Sequence, residues 1–380
     1  MIYVLLAMLI APFVRRKPSA SPQSILVVQT GKIGDFICTT PLFRTLRAAF
    51  PDARIVLVLH PVNRSLASHL PYFDELIDVP SGTLSGWHQK RVWARKIKAV
   101  QADIAICCSG GLAWPVILAM SGIPRRLGVE PNFMGRSSRF AQRLWTDSVR
   151  HDGEQLIGST YARLLGKLGI ELLDRHTVLN PAPSAEAHVA QFLKFKQVTP
   201  DRQLVGVAIS AANKLKELGL PLLEGLCRQV LASRETLDIV LLGGPGDRPL
   251  ALALTSQLAS SRVMDSCGEF PLDEVPALLK RLDVFVGVDS GLTYMADTFD
   301  IPLVSLAGPC NMKETRPQNE QVILLQEKLP CVPCAHIFKA PYSCHIGTRA
   351  CITNVQADML SEAVLRLLGK RSMQKQVSRV

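Results

Sequence analysis

Short apolar runs, each long enough for one buried strand, alternate with helical patterns along the chain, and the alternation occurs twice. Residues 25–29 (ILVVQ) form such a run and break at Thr30-Gly31-Lys32-Ile33-Gly34-Asp35. Phe36, Leu42, Phe43, Leu46 and Phe50 then recur with the spacing of one helix face. Strand-like runs follow at 54–59 (RIVLVL) and 103–108 (DIAICC). This rhythm predicts a parallel sheet with helices on both faces. After a proline-rich break at 180–184 (NPAPS) it restarts, with strand-like runs at 204–209, 238–242, 283–288 and 303–306. Helical stretches at 218–232, 248–260, 272–281 and 292–299 lie between them. The 380 residues suffice for two domains, each burying its own core. The expected fold class is α/β: two Rossmann-like, doubly wound domains facing a cleft. Residues 1–24 read as leader and linker, 25–185 as the first domain and 186–353 as the second. The last stretch, 354–380, reads as an amphipathic helix crossing back over the first domain, then a basic tail.

Charge narrows the partner. Hydrophobic residues make up 48% and charged residues 20%, which excludes a disordered polyelectrolyte. The net charge of +11 is unevenly spread: residues 86–150 carry eleven Lys and Arg against three acidic residues. Lys90, Arg91, Arg125, Arg126 and Arg136 belong to that stretch, and Arg15-Arg16-Lys17 and the carboxyl terminus are basic as well. Such clustering points to an anionic partner or to solvated helix faces. No RNA- or DNA-binding module accompanies it, so nucleic acid is not the expected partner.

Residues 1–14 are uncharged and mostly apolar, with the basic triplet behind them. As a helix they would span about 21 Å, short of a hydrocarbon core of about 30 Å. A secretory signal carries its charge before the apolar run, so a monotopic anchor with cations at anionic headgroups fits better. Ten cysteines do not make a disulfide scaffold in a chain of this length. Cys331, Cys334, Cys344 and Cys351 have the spacing C-x2-C-x9-C-x6-C, conceivable for zinc or an iron–sulfur cluster. It is not two paired C-x2-C knuckles, and reduced thiols in a cytosolic loop are the expectation.

Two turns carry candidate chemistry. T-G-K-I-G-D (Thr30 to Asp35) lies at a strand's carboxyl end, where α/β sheets bind ligands. Asp35 can cap the following helix or act as a general base there. G-V-D-S-G (Gly287 to Gly291) also leads from a strand into a helix. The amides of Ser290, Gly291 and Leu292, with the helix dipole, suit a pyrophosphate, or form an ordinary strand-to-helix turn. The Gly243-Gly244-Pro245-Gly246-Asp247 turn lacks the dinucleotide fingerprint, and no phosphate-binding loop, zinc-protease pair or nucleophile elbow is present.

Together these blocks resemble the bacterial lipopolysaccharide heptosyltransferases, glycosyltransferase family 9. Members open with a strand and a segment like S-x-I-G-D-x-x-x-T-x-P followed by L-R. Thr30–Asp35, Thr39-Thr40-Pro41 and Leu46-Arg47 fill those places here. Their later G-x-D-[ST]-G turn and G-P pair match Gly287–Gly291 and Gly308-Pro309, and the four-cysteine tail looks like one found in part of the family. The match runs from about residue 25 to 368.

The resemblance implies a GT-B glycosyltransferase that inverts the anomeric centre, moving heptose from ADP-heptose to a hydroxyl of the lipopolysaccharide inner core. It implies Asp35 as base with Gly34 on the acceptor side, and Lys216 on donor phosphate with Lys214 as the neighbouring alternative. Asp247 would take the ribose hydroxyls, Phe270 the adenine, and Asp289, Ser290, Gly291, Leu292 and Tyr294 the rest of the donor. Lys90, Arg91, Arg125, Arg126 and Arg136 would hold acceptor anions. No cofactor or metal is required in this reading, and the enzyme would work at the cytoplasmic face of the inner membrane. Tyr294 stands where members commonly place His, and Cys310 where Thr often follows Gly-Pro. Both departures bear on donor identity. The alternatives are a GT-B transferase or epimerase using another nucleotide sugar, or a non-catalytic membrane-associated glycan-binding protein.

Overall fold

The computed structural model describes residues 4–9 and 22–377, with side chains to residue 370. The chain divides into two compact units. The first runs to Val178 and takes in two short later segments, Lys313–Thr315 and Ile337–Lys339; the second holds the rest from Leu179.

The first unit contains β1 (Ser24–Gln29), β2 (Arg54–Leu59), β3 (Glu75–Asp78), β4 (Ile104–Cys107), β5 (Arg125–Pro131) and β6 (Asp147–His151). They form one sheet in the order β3-β2-β1-β4-β5-β6, parallel throughout. The second contains β7 (Gln203–Ala208), β8 (Leu237–Leu242), β9 (Val263–Asp265), β10 (Val284–Val288), β11 (Leu303–Leu306) and β12 (Val322–Leu325). Its order, β12-β11-β10-β7-β8-β9, is the same topology repeated. Every residue of β1, β4, β8, β10 and β11 is buried, which is why these strands read as unbroken apolar runs. β5 hid from sequence analysis because it opens on two arginines, and β3 and β9 because they are short.

Gly128 in β5 lies flat against the indole of Trp145; a Cβ there would sit 2.1 Å from the ring. Gly128→Ala is expected to lower unfolding free energy by about 1–3 kcal/mol through overpacking, read by urea denaturation.

The two later segments of the first unit bring in Glu314, which is buried. Its backbone carbonyl accepts the Ile157 amide at 2.9 Å, and its carboxylate accepts the Ile337 amide at 2.9 Å. That carboxylate also lies 3.7 Å from Nε2 of the buried His151.

The carboxyl-terminal helix, Ala357–Val377, belongs to the second unit and packs on the helix Leu220–Ser233. The reason is its apolar face: Leu360, Ala363, Val364, Leu367 and Leu368 are buried in the core under β7, β8 and β10. Ser361 Oγ donates to Gln229 Oε1 at 2.6 Å and fixes the register. At the other end of the chain residues 4–9 are helical; Arg15, Arg16 and Lys17 lie outside the described residues. Among the described residues no helix is long and apolar enough to cross a membrane.

Candidate functional site

In each sheet the two central strands send their connections to opposite sides, and in such sheets ligands bind beyond the carboxyl ends at that point. The points fall between β1 and β4 and between β7 and β10. Both turns singled out in the sequence lie there.

In the first unit the backbone after β1 is held from below. Gln29 Oε1 accepts the Gly31 amide at 3.0 Å, and Gln29 Nε2 donates to Thr39 Oγ1 at 2.6 Å. The Thr30 amide donates to Ser109 Oγ at 2.8 Å, and Asn63 Nδ2 donates to the Gly31 carbonyl at 3.0 Å. Asp35 occupies the first turn of the helix Ile33–Ala49, its Oδ2 accepting the Lys32 amide at 3.0 Å. A capping role is therefore observed, with Lys32 at the N-cap position and Asp35 three residues on returning a bond to its amide. Lys32 Nζ lies 3.4 Å from His60 Nε2, and His60 is held below its ordinary value, first by burial and then by the Lys32 charge. Sequence reasoning missed Gln29, Asn63, His60 and Ser109. Their one sequence signal is position: Gln29 ends β1, His60 follows β2, and Ser109 lies just beyond β4.

Gly31 lets Asp35 lie against the backbone. A Cβ at Gly31 would meet Asp35 Cβ at 2.5 Å and Oδ2 at 2.6 Å. Gly31→Ala should therefore displace the carboxylate and lower turnover about 100-fold, with nucleotide affinity unchanged in a calorimetric titration.

In the second unit one buried carboxylate gathers three groups. Asp289, just after β10, accepts from Lys216 Nζ at 2.5 Å and Cys310 Sγ at 3.0 Å on Oδ2, and from Tyr294 Oη at 2.6 Å on Oδ1. Burial pushes Asp289 up, but the Lys216 charge and the hydrogen bonds from Lys216, Tyr294 and Cys310 outweigh it and hold it below the usual carboxylate range. Lys216 is shifted upward: burial opposes its charge, and Asp289 more than compensates. Ser290 stands at the N-cap position of the helix Gly291–Thr298 without a side-chain capping bond, and its Oγ is buried with no hydrogen-bond partner. An unsatisfied hydroxyl beside the first amides of a helix is a site prepared for an anion.

Tyr294→Phe removes one support of Asp289. A lowered carboxylate stabilises the fold above its unfolded value, near pH 4, and loses that contribution as pH falls through the folded value. The variant's folded value lies higher, so its acid unfolding midpoint should move to higher pH in a fluorescence titration.

Residues 91–342 match the family model of glycosyltransferase family 9 (heptosyltransferase). The chain belongs to that family. Lipopolysaccharide heptosyltransferase 3 of Escherichia coli is 22% identical over 295 residues, covering 76% of this chain and 85% of that relative. A solved family 9 glycosyltransferase from Veillonella parvula superposes with a TM-score of 0.74 at 20% identity, covering 93% of this chain and all of that one. E. coli ADP-heptose lps heptosyltransferase II gives 0.69 at 20% identity, covering 92% and 99%. This glycosyltransferase accordingly has the GT-B architecture of two Rossmann-like units.

The remaining expected site residues of the glycosyltransferase separate on burial. Lys90 is 4% exposed and donates to the carbonyls of Leu84 and Gly86 at 2.8 and 3.1 Å. Arg126 is 7% exposed and donates to the carbonyls of Leu144 and Ile123 at 2.9 and 2.6 Å. Both are corrected to structural cations: their charge is spent on backbone carbonyls. Arg125 pairs with Asp147 at 3.5 Å, while Arg91 and Arg136 are exposed. Phe270 has aromatic neighbours. Its ring is 9% exposed and packs on His188 and Phe192, with centroids 4.8 and 5.2 Å away. Asp247 accepts the Gly244 amide at 2.7 Å, repeating at equal spacing the Asp35–Lys32 arrangement. Lys214 pairs instead with Glu217 at 2.5 Å and is mostly exposed. Gly34 follows Ile33 in the first turn of the helix that carries Asp35. Cys331, Cys334, Cys344 and Cys351 are free thiols, and among the described residues no three metal-ligating side chains are gathered to hold an ion.

Proposed function

We propose that the protein is an inverting heptosyltransferase that moves heptose from ADP-heptose to a hydroxyl of the lipopolysaccharide inner core, at the cytoplasmic face of the inner membrane. The observation that carries the donor half is the partnerless Ser290 hydroxyl at a helix N-terminus beside the Lys216–Asp289 pair. The diphosphate lies on Ser290 and the amides of Gly291 and Leu292, with Lys216 supplying a point charge. Asp247 takes the ribose hydroxyls with its second carboxylate oxygen. The acceptor binds at the end of β1, its anionic groups met by Lys32, Arg91 and Arg136; Arg125 opens β5 at the other, amino-terminal edge of the sheet. Asp35 accepts the hydroxyl proton as that oxygen attacks the anomeric carbon opposite the leaving ADP, so the configuration inverts. Charge developing on ADP falls on Lys216 and the helix dipole, so the step calls for no metal, and nucleic acid has no part in it.

A related E. coli heptosyltransferase has been solved with ADP-2-deoxy-2-fluoro heptose, which supports the donor class. The test is incubation with ADP-heptose and a series of truncated core acceptors, read by mass spectrometry. A product heavier by one heptosyl unit supports the reading; hydrolysis without transfer on every acceptor overturns it. Tyr294 and Cys310 on Asp289 favour one second reading, a different nucleotide sugar as donor. A donor panel with the same acceptors separates the two.

A further inference from the structure

We propose that the first unit carries a lipid-docking face built on residues 4–9, whose occupant is the surface of a bilayer rich in anionic phospholipid. Val4 and Ala7, one helical turn apart, are fully buried in a cluster with Val116, Ala119, Ala141 and Leu144. Met8, Trp87, Leu112 and Phe140 pack against that cluster. This helix is therefore part of the folded unit and not a free leader. Its other side is equally apolar: Leu5, Leu6 and Leu9 are 46%, 36% and 67% exposed. A helix docked on a protein and facing water alone carries polar residues outward; one lying at a membrane interface carries leucines there.

Charge selects the occupant. The two neighbouring segments that pack against the cluster, through Trp87 and Phe140, are both cationic. The helix Gly86–Val100 has exposed Arg91 and Arg95 and no acidic residue. The helix Arg136–Ala141 has exposed Arg136 and Arg139, with Arg143 just after it, its guanidinium 5.0 Å from the Phe140 ring centroid; this segment also lacks carboxylates. Exposed leucines on a helix whose two packing neighbours are cationic match hydrocarbon beneath anionic headgroups. A second copy of the chain would set arginines against arginines, and nucleic acid has no use for the leucines.

The experiment is flotation of the full chain, without substrates, on vesicles of phosphatidylglycerol and phosphatidylethanolamine against vesicles of phosphatidylcholine alone. Binding should be confined to the anionic vesicles and weaken with salt. Leu5→Glu/Leu9→Glu should lower partitioning about tenfold or more, and Arg139→Glu/Arg143→Glu should do the same. Leu9→Glu alone, at the most exposed position, guards against misfolding and should give an intermediate loss at unchanged Tm. Wild-type partitioning by the leucine variants overturns the inference, as does a wild-type dimer that these substitutions dissociate. Turnover on a lipid-free acceptor should be unchanged in Leu5→Glu/Leu9→Glu, so a failure here is separate from a failure of the heptose-transfer reading.

Discussion

Asp35→Ala should lower kcat by about 10²–10⁴-fold, the range of a lost general base, while ADP affinity stays within about twofold. Because Asp35 also caps its helix, alanine alone cannot separate the two roles. Asp35→Asn can: its amide oxygen still accepts the Lys32 amide, but it takes up no proton at neutral pH. Asn is expected to keep the wild-type Tm and lose turnover as fully as Ala, whereas Ala should also lose about 1 kcal/mol of stability. Single-turnover rates and thermal melts on both variants decide it. Wild-type turnover in the Asn variant would reduce Asp35 to a cap.

Lys216 gives the second large effect, and here too binding and folding are entangled. Lys216→Met removes the proposed phosphate contact, which should raise the donor KM about 100-fold. It also leaves Asp289 as an uncompensated buried charge, at a cost of about 3–5 kcal/mol in stability. Replacing both partners, Lys216→Met with Asp289→Leu, should restore much of the stability, because two apolar side chains can fill the same buried volume. The donor KM should stay high in the double variant. If KM recovers together with stability, the lysine acts only through the fold.

Asp35, and Asp289 with which Lys216 pairs, reside on turns that were legible in the sequence, because a strand with two covered faces leaves an unbroken apolar run. β1, β7, β8, β10 and β11 were found this way, and so were Asp35 and Asp289. What the sequence concealed was the fate of its cations. Lys90, Arg126 and Arg91 look alike in a string of letters; only packing shows that the first two feed backbone carbonyls and the third meets solvent. Aromatic neighbours hid for the same reason, as with Phe270 on His188 and Phe192. Tyr294 and Cys310 stood out as separate departures from the family pattern, yet they act on one carboxylate, a link no spacing rule contains. The last helix was legible as an apolar stripe, which states that a helix is covered, not by what.

Glu314 carries a consequence for how the chain is made. The first unit is not finished by its own stretch of sequence: the residue that takes the Ile157 amide and stands against His151 is translated long after them. A nascent chain therefore emerges from the ribosome with six strands in hand and this buried corner still empty. Final closure of the first unit must wait until most of the second has been synthesised. A gene cut at the boundary between the units would yield a first half that stays vulnerable to proteases at that corner, however well its sheet forms.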